Sequence, residues 1–378
     1  MIEQAVTDPH GSAAIRLVGV EKRFPGATEP AVTDLHLDIP EGQLCVFVGP
    51  SGCGKTTTLK MINRLVEPTA GEIHVLGTEI RSVKRPQLRR QIGYVIQQIG
   101  LFPHKTIAEN IATVPKLLKW DRARVRERVD ELVELVGLDR EMLRRYPAEL
   151  SGGQQQRVGV ARALAADPPI LLMDEPYSAV DPVVRGRLQD ELLDLQRRLR
   201  KTIVMVTHDI DEAIKLGDQV VIFETGGIIA QSGAPDDLLA RPASPFVESF
   251  LGNERGLKRL ALLTVADITL TDGLVVDVSA APSEALALMT AKASDWVGVR
   301  DGDRLLGWVW SSDLEGIVRV GDATPKRFRS AVGPTTSLRE VLDAIVNSRT
   351  RVAVVLDDTD RYLGMITVDE LSEGIGSS

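Results

Sequence analysis

The chain has 378 residues, which at ~150 residues per domain predicts two to three domains. Its 43% hydrophobic and 26% charged residues are ordinary globular usage and argue against a disordered polymer. Lysine and arginine total 45 against 53 aspartate and glutamate, a net charge of −8 that leaves no domain-wide positive field for nucleic acid; with only Cys45 and Cys53, a disulfide scaffold is excluded and a reducing compartment fits.

Residues 1–14 are polar and small and read as a loose tail, without the basic start and apolar run of a secretory signal. IRLVGV and AVTDLHLDIP then alternate apolar and polar positions, as strands do. LCVFVG, Leu44 to Gly49, is continuously apolar, the mark of a strand buried on both faces. A glycine-rich turn follows, then TTTLKMINRL with helical spacing. IGYVIQ, PILLMDE and KTIVMVTHD read as further buried strands, and DRARVRERVDELVELVGLD as a charged helix. DQVVIFETGGIIAQSG reads as a hairpin closed by Gly226-Gly227. Strands alternating with helices predict an α/β fold with a mostly parallel sheet covered on both faces. No stretch reaches the ~18–20 apolar residues that cross a bilayer.

Beyond the turn-rich RPASPF and NERGLKR, read as a polar connection, the chain repeats itself. Gly307 and Gly364, Arg304 and Arg361, and Leu314 and Leu371 align at an offset of 57 residues, and Glu284 with Glu340 at 56. Each copy reads as helix, strand, turn, strand, helix, and two such copies bury their apolar faces against one another. The charge divides with the pattern. Residues 265–378 hold 11 basic and 18 acidic residues, or −7, and the rest of the chain carries −1. That predicts two units with different electrostatic roles.

Chemistry concentrates at GPSGCGKTT, which comprises Gly49, Pro50, Ser51, Gly52, Cys53, Gly54, Lys55, Thr56 and Thr57 and matches GxxxxGK[ST]. The glycines let backbone N–H groups converge on phosphate oxygens, and the following helix points its positive end at the same anion. Lys55 then reaches the β- and γ-phosphates, and Thr56 is a ligand for Mg²⁺. ILLMDEP supplies the second half: Asp174 for the Mg²⁺ shell, and Glu175 to polarise an attacking water. Alone, those two acids would read as a solvated strand end. Cys53 reads simply as a small residue within the loop.

LSGGQQQR, Leu150 to Arg157, resembles the signature motif of ABC ATPases. The resemblance implies a P-loop ABC-type ATPase, a RecA-like core plus a helical subdomain, over residues 15–255 with the helical part at about 98–165. It implies that Ser151, Gly152, Gly153 and Gln154 meet the γ-phosphate held by a second subunit, so that ATP is sandwiched in a homodimer. It also implies roles for Gln97, or the adjacent Gln98, as the Q-loop residue on the γ-phosphate and Mg²⁺. Asp181 in SAVD becomes the D-loop aspartate, His208 in VTHD the switch histidine, and Phe24 the ring stacked on adenine, where tyrosine is commoner.

One motif set without a fused membrane segment resembles a separate importer subunit. QQIGLFPHKTIAENIATVPKLLKW, Gln97 to Trp120, closely resembles the stretch of osmoprotectant importers of the glycine betaine, carnitine, choline and proline class that docks the permease. Read locally, it is a helix start capped by Thr106 and Glu109. The repeat resembles a tandem α+β CBS pair at 265–320 and 325–375. CBS pairs that bind adenosine nucleotides end each repeat in Gly-h-h-[ST]-x-x-Asp. Here the first has Gly307 and Asp313 but Trp310, and the second Gly364 and Thr367 but Glu370. Trp296, Trp308 and Trp310 read as packing between the repeats, and Lys326, Arg327 and Arg329 as a small basic cluster open to a phosphate ligand or anionic lipid. The resemblance therefore implies an ATPase peripheral to the cytoplasmic face of the inner membrane. Its partners are integral permease subunits and, indirectly, an extracytoplasmic substrate-binding protein, with a nucleotide or ionic-strength input at the CBS pair and no nucleic acid. The alternatives are an importer for another amine or amino acid, and a soluble ABC ATPase outside transport.

Overall fold

The computed structural model describes residues 13–97, 100–178, 180–329 and 331–376, so most of the tail reading and Gln98 fall outside the described residues. Contacts divide the chain into two units, Met1–Gly252 and Asn253–Ser378.

The first unit begins with β1 (Ala13–Lys22), β2 (Val32–Pro40), β3 (Leu44–Val48) and α1 (Lys55–Ile62). It continues through β4 (Ala70–Val75), β5 (Thr78–Glu79), α2 (Arg85–Arg90) and β6 (Ile92–Val95). A run of helices follows: α3 (Ile107–Ile111), α4 (Thr113–Leu117), α5 (Arg122–Leu135) and α6 (Gly152–Leu164). Then come β7 (Ile170–Asp174), α7 (Pro182–Leu199), β8 (Thr202–Val206), α8 (Ile210–Leu216), β9 (Gln219–Glu224) and β10 (Ile228–Gly233). Two short helices, α9 (Pro235–Ala240) and α10 (Pro245–Leu251), close the unit.

The main sheet has the order β10-β9-β3-β8-β7-β6, parallel except for the β9–β10 hairpin. All five residues of β3, β7 and β8 are buried, as strands covered on both faces require. Cys45, Phe47, Leu172, Val204 and Phe223 point into one core shared with Ile15, Leu35 and Ile73 and with Leu59 and Met61 of α1. Their neighbours Val46, Leu171, Met173, Met205 and Val220 are buried toward the other face. The core partners Ile15, Leu35 and Ile73 belong to a second, antiparallel sheet of order β2-β1-β4-β5 that the strand pattern did not announce.

The second unit comprises α11 (Arg255–Leu262), β11 (Val275–Asp277), α12 (Pro282–Ala291), β12 (Trp296–Asp301) and β13 (Arg304–Trp310), then β14 (Ala331–Val332), α13 (Leu338–Asn347), β15 (Ala353–Leu356), β16 (Tyr362–Ile366) and α14 (Val368–Gly376). Each repeat is a three-stranded sheet with a leading parallel strand the repeat pattern missed. The closing helix expected of repeat one is only a 3₁₀ turn, Ser311–Leu314. The supposed polar connection is partly helical. Leu260 of α11 enters the core with Leu338, Val341 and Ile345, because its leucines recur at helical spacing among the charges.

The chain leading into each repeat pairs with the other repeat. Lys326 and Trp308 exchange backbone hydrogen bonds of 2.8 and 2.9 Å, and Met365 N–H donates to Thr271 at 3.0 Å. This explains the aligned glycines. A Cβ on Gly307 would lie 2.4 Å from the Lys326 carbonyl oxygen, and one on Gly364 2.6 Å from that of Thr271. Trp296 and Trp308 pack with Val354, Tyr362 and Met365, and Trp310 against them, so the tryptophans do pack between the repeats.

Candidate functional site

The parallel register brings four strand ends to one edge of the main sheet. Val48 of β3 lies opposite Ile222, Phe47 opposite Val206, Val206 opposite Asp174, and Met173 opposite Val95. The loops after β3, β6, β7 and β8 therefore leave from a common edge, where open α/β sheets place ligands.

After β3 the loop turns through Gly49 (φ 152°), Gly52 (φ 79°) and Gly54 (φ 109°). A Cβ on Gly49 would sit 2.4 Å from the Phe223 carbonyl oxygen, and one on Gly54 2.5 Å from that of Ala31. Space forbids a side chain at these two, whereas Gly52 faces open space and only its backbone conformation favours glycine. Pro50 and Ser51 complete the turn and Thr57 continues α1, while Cys53 is buried. The Lys55 ammonium folds onto the loop, donating to the Gly49 and Pro50 carbonyls at 2.7 and 2.9 Å. Thr56 Oγ1 donates to Asp174 Oδ1 at 2.8 Å. A hydroxyl and a nearly buried carboxylate in contact are an all-oxygen donor pair that fits a hard divalent cation.

Glu175 follows Asp174 in a left-handed backbone conformation, φ 46°, a strain of about 1–3 kcal/mol held by its N–H bond to the Val206 carbonyl at 3.0 Å. Gln97 Nε2 donates to Glu175 Oε2 at 2.8 Å, and His208 Nδ1 lies 3.5 Å from the same oxygen. Gln97, Glu175 and His208 come from three separate loops and meet at one carboxylate oxygen.

The other sequence candidates stand apart. Ser151 Oγ accepts from Gln154 N–H at 3.3 Å and Gln154 Oε1 from Ser151 N–H at 2.9 Å, capping α6, with Gly152 exposed and Gly153 half-buried beside them. Asp181 caps α7 through Val183 N–H at 2.9 Å. Phe24 is 41% exposed with the Lys22 ammonium 5.0 Å from its ring centroid. Among the described residues no hydrogen bond or ion pair joins these to the Lys55–Glu175 cluster.

Two features escaped the sequence reading. Asn110 is fully buried and ties down the loop before α3: its amide donates to the Phe102, Lys105 and Thr106 carbonyls at 3.2, 3.1 and 3.0 Å and accepts from Phe102 N–H at 2.7 Å. An asparagine in an apolar helical stretch was the available signal. Glu212 of α8 is also buried, and burial raises its carboxyl above the usual range, opposed by the Thr207 and Gln189 side-chain hydrogen bonds. The expected capping box is present, with Thr106 N–H donating to Glu109 Oε2 at 2.9 Å and Glu109 N–H to Thr106 Oγ1 at 3.3 Å.

In the second unit a cleft of about 580 Å³ is lined by Trp308, Trp310, Lys326, Arg327, Arg329 and Arg349. Lys326 Nζ lies 2.6 Å from Asp313 Oδ2 and 5.4 Å from the Trp308 ring centroid. At the matching place in repeat two, Glu370 accepts from Thr271 Oγ1 at 2.6 Å and from Thr367 N–H at 2.7 Å. Both carboxylates at the repeat endings are thus engaged by the chain itself.

Two family patterns match: "ABC transporter" over residues 32–178 and "CBS domain" over residues 329–377. The chain is 46% identical over 369 residues to the osmoprotectant import ATP-binding protein OsmV of Salmonella typhimurium, covering 96% of each. It is also 46% identical to the choline transport ATP-binding protein OpuBA of Bacillus subtilis, covering 93% of this chain and 94% of that one. Among solved structures, the dimeric post-hydrolysis ATP-binding cassette MJ0796, bound to ADP and Pi, matches 58% of this chain and 98% of its own at 33% identity and a TM-score of 0.53.

Proposed function

Because the chain belongs to the ATP-binding proteins of ABC transporters, we propose that it powers import of a quaternary amine or betaine osmoprotectant, with Glu175 as the group that activates water for ATP hydrolysis. The observation that carries the catalytic assignment is the meeting of Gln97 and His208 at Glu175 Oε2, at the edge where Thr56 pairs with Asp174.

Thr56 and Asp174, with Gln97, would hold Mg²⁺, which when bound neutralises charge on the phosphates. Lys55 leaves the loop carbonyls for the β- and γ-phosphate oxygens, while the N–H groups of Gly49 to Thr57 cradle them. Glu175 accepts a proton from the attacking water, Gln97 orients that water, and His208 donates to the γ-phosphate. Phe24 offers its ring to adenine. Ser151, Gly152, Gly153 and Gln154 of a second copy close over the γ-phosphate, and Asp181 lies at that seam; their exposed caps, engaged only locally, support this reading.

The permease-facing segment is 97–120, whose loop before α3 Asn110 fixes and whose Leu117 is 74% exposed. No described helix is long and apolar enough to cross a membrane. The partners in this reading are integral permease subunits at the inner face, fed by an extracytoplasmic binding protein, as the likeness to importer ATP-binding proteins supports. The CBS pair regulates the ATPase, and the basic cleft around Lys326 supports an anionic or ionic-strength input. Glu175→Gln is expected to lower turnover at least ~10²-fold while ATP still binds and a dimer accumulates. Near-normal turnover in that variant overturns the catalytic assignment. Uptake of labelled glycine betaine and choline by cells with and without the gene tests the substrate class.

A further inference from the structure

A buried polar seam between α7 and α8 has no part in the proposed chemistry. Glu212 is 6% exposed and Gln189 7%. Gln189 Nε2 donates to Glu212 Oε1 at 3.1 Å. Thr207 Oγ1 accepts from Asp209 N–H at 3.1 Å, and the Thr207 side chain favours the ionised Glu212 carboxyl. Asp209 caps α8 through Asp211 N–H and Glu212 N–H, and its other carboxylate oxygen lies 3.6 Å from Arg185 Nη1 of α7. The turn that carries His208 is therefore tied to α7 through Asp209, which caps the Glu212 that Gln189 holds and which also faces Arg185. Lys215 and Asp190 also join the two helices, at 2.7 Å, but that pair is solvent-exposed and contributes little direction.

A carboxylate taken from water costs free energy that hydrophobic packing of the same seam would not. What the polar pair supplies is direction, because a hydrogen bond fixes where one helix stands against the other and an apolar contact does not. We infer that Gln189 and Glu212 are positioning residues for His208: they pin the Thr207–Asp209 turn to α7 and so hold the imidazole at Glu175 Oε2. This rests on the assignment of His208 to the γ-phosphate. Because Asp181 caps the start of α7, the same pair ties the switch histidine to the helix that leaves the proposed dimer seam.

The test is steady-state ATP hydrolysis by the full chain, with equilibrium binding of a fluorescent ATP analogue. Gln189→Glu sets two carboxylates face to face, and Gln189→Met removes the donor at similar volume. Each is expected to lower kcat about tenfold while nucleotide affinity stays within about twofold. Gln189→Glu combined with Glu212→Gln restores one donor and one acceptor with their order reversed, and kcat is expected to return to within about threefold of the parent. Unchanged kcat in both single variants, a parallel loss of nucleotide binding, or a swap as slow as Gln189→Glu overturns the inference. His208→Ala separates the two levels. If it keeps full turnover, the His208 assignment falls and takes this inference with it. If it is inactive while Gln189→Glu is not, the inference alone falls.

Discussion

A methyl group added at Gly49 would meet the Phe223 carbonyl at 2.4 Å, while one added at Gly52 meets nothing. Gly49→Ala is therefore expected to lower the melting temperature and abolish nucleotide binding. Gly52→Ala should carry only the left-handed backbone penalty, about 1 kcal/mol, and keep measurable binding. Glu212 gives a pH prediction. Burial raises its folded pKa above the ordinary 4.5, so the native state holds the proton more tightly than the unfolded one. Its contribution is present on the acid side of that ordinary value and is lost as pH rises through the raised one. Asp209 from its own helix cap pushes in the same direction and Arg185 from α7 opposes it. Glu212→Gln, which stays neutral, should gain thermal stability over the parent between about pH 5 and 8, and an equal difference at both ends would refute it. Lys55 and Asp174 were legible because each sits in a run whose local spacing announces phosphate chemistry. Gln189 and Glu212 were not, since they are 23 positions apart and each alone looks like a solvated helical residue.

Among elements, short helix α3 is held by its entry rather than by its length. The Thr106–Glu109 box could be read directly from TIAE, and Thr106→Ala should cost about 1 kcal/mol. Asn110 is the stronger clamp. Asn110→Ala strips four hydrogen bonds from the Phe102–Thr106 loop and should cost about 1–3 kcal/mol in chemical denaturation. In the assembled transporter it should uncouple ATP use from uptake while ATP binding persists. The buried strands β3, β7 and β8 were legible as unbroken apolar runs. The antiparallel sheet was not, because β4 reads AGEIHV, with an exposed start and a half-buried rim, and shows its apolar face only once β1 lies beside it. In repeat one the closing helix shrinks to a turn where Asp313 caps back onto Trp310 N–H at 2.9 Å.

Over the whole molecule, the charge division softens at the physical boundary: residues 253–378 hold 14 basic and 19 acidic residues, or −5, and the rest of the chain carries −3. The second unit begins at Asn253, and Leu260 belongs to its core, so removing residues 253–378 is the clean truncation, whereas a cut at 265 strands α11. If the cleft around Lys326 senses ionic strength, transport in anionic liposomes should lose its salt activation in that truncation, because exposed charge contacts are screened over ~8 Å at physiological strength. Identical salt curves with and without residues 253–378 would exclude the unit as the sensor. The repeat offset was visible in sequence because glycines mark it, but the reason for those glycines was not, since the backbone they admit comes from the other repeat. A gene that lost one repeat would leave the other with an open sheet edge at Trp308 or Met365 and a glycine shaped for a strand no longer encoded. Removing residues 325–375 alone is therefore expected to destabilise repeat one, read as a lower melting temperature than removal of residues 253–378 gives.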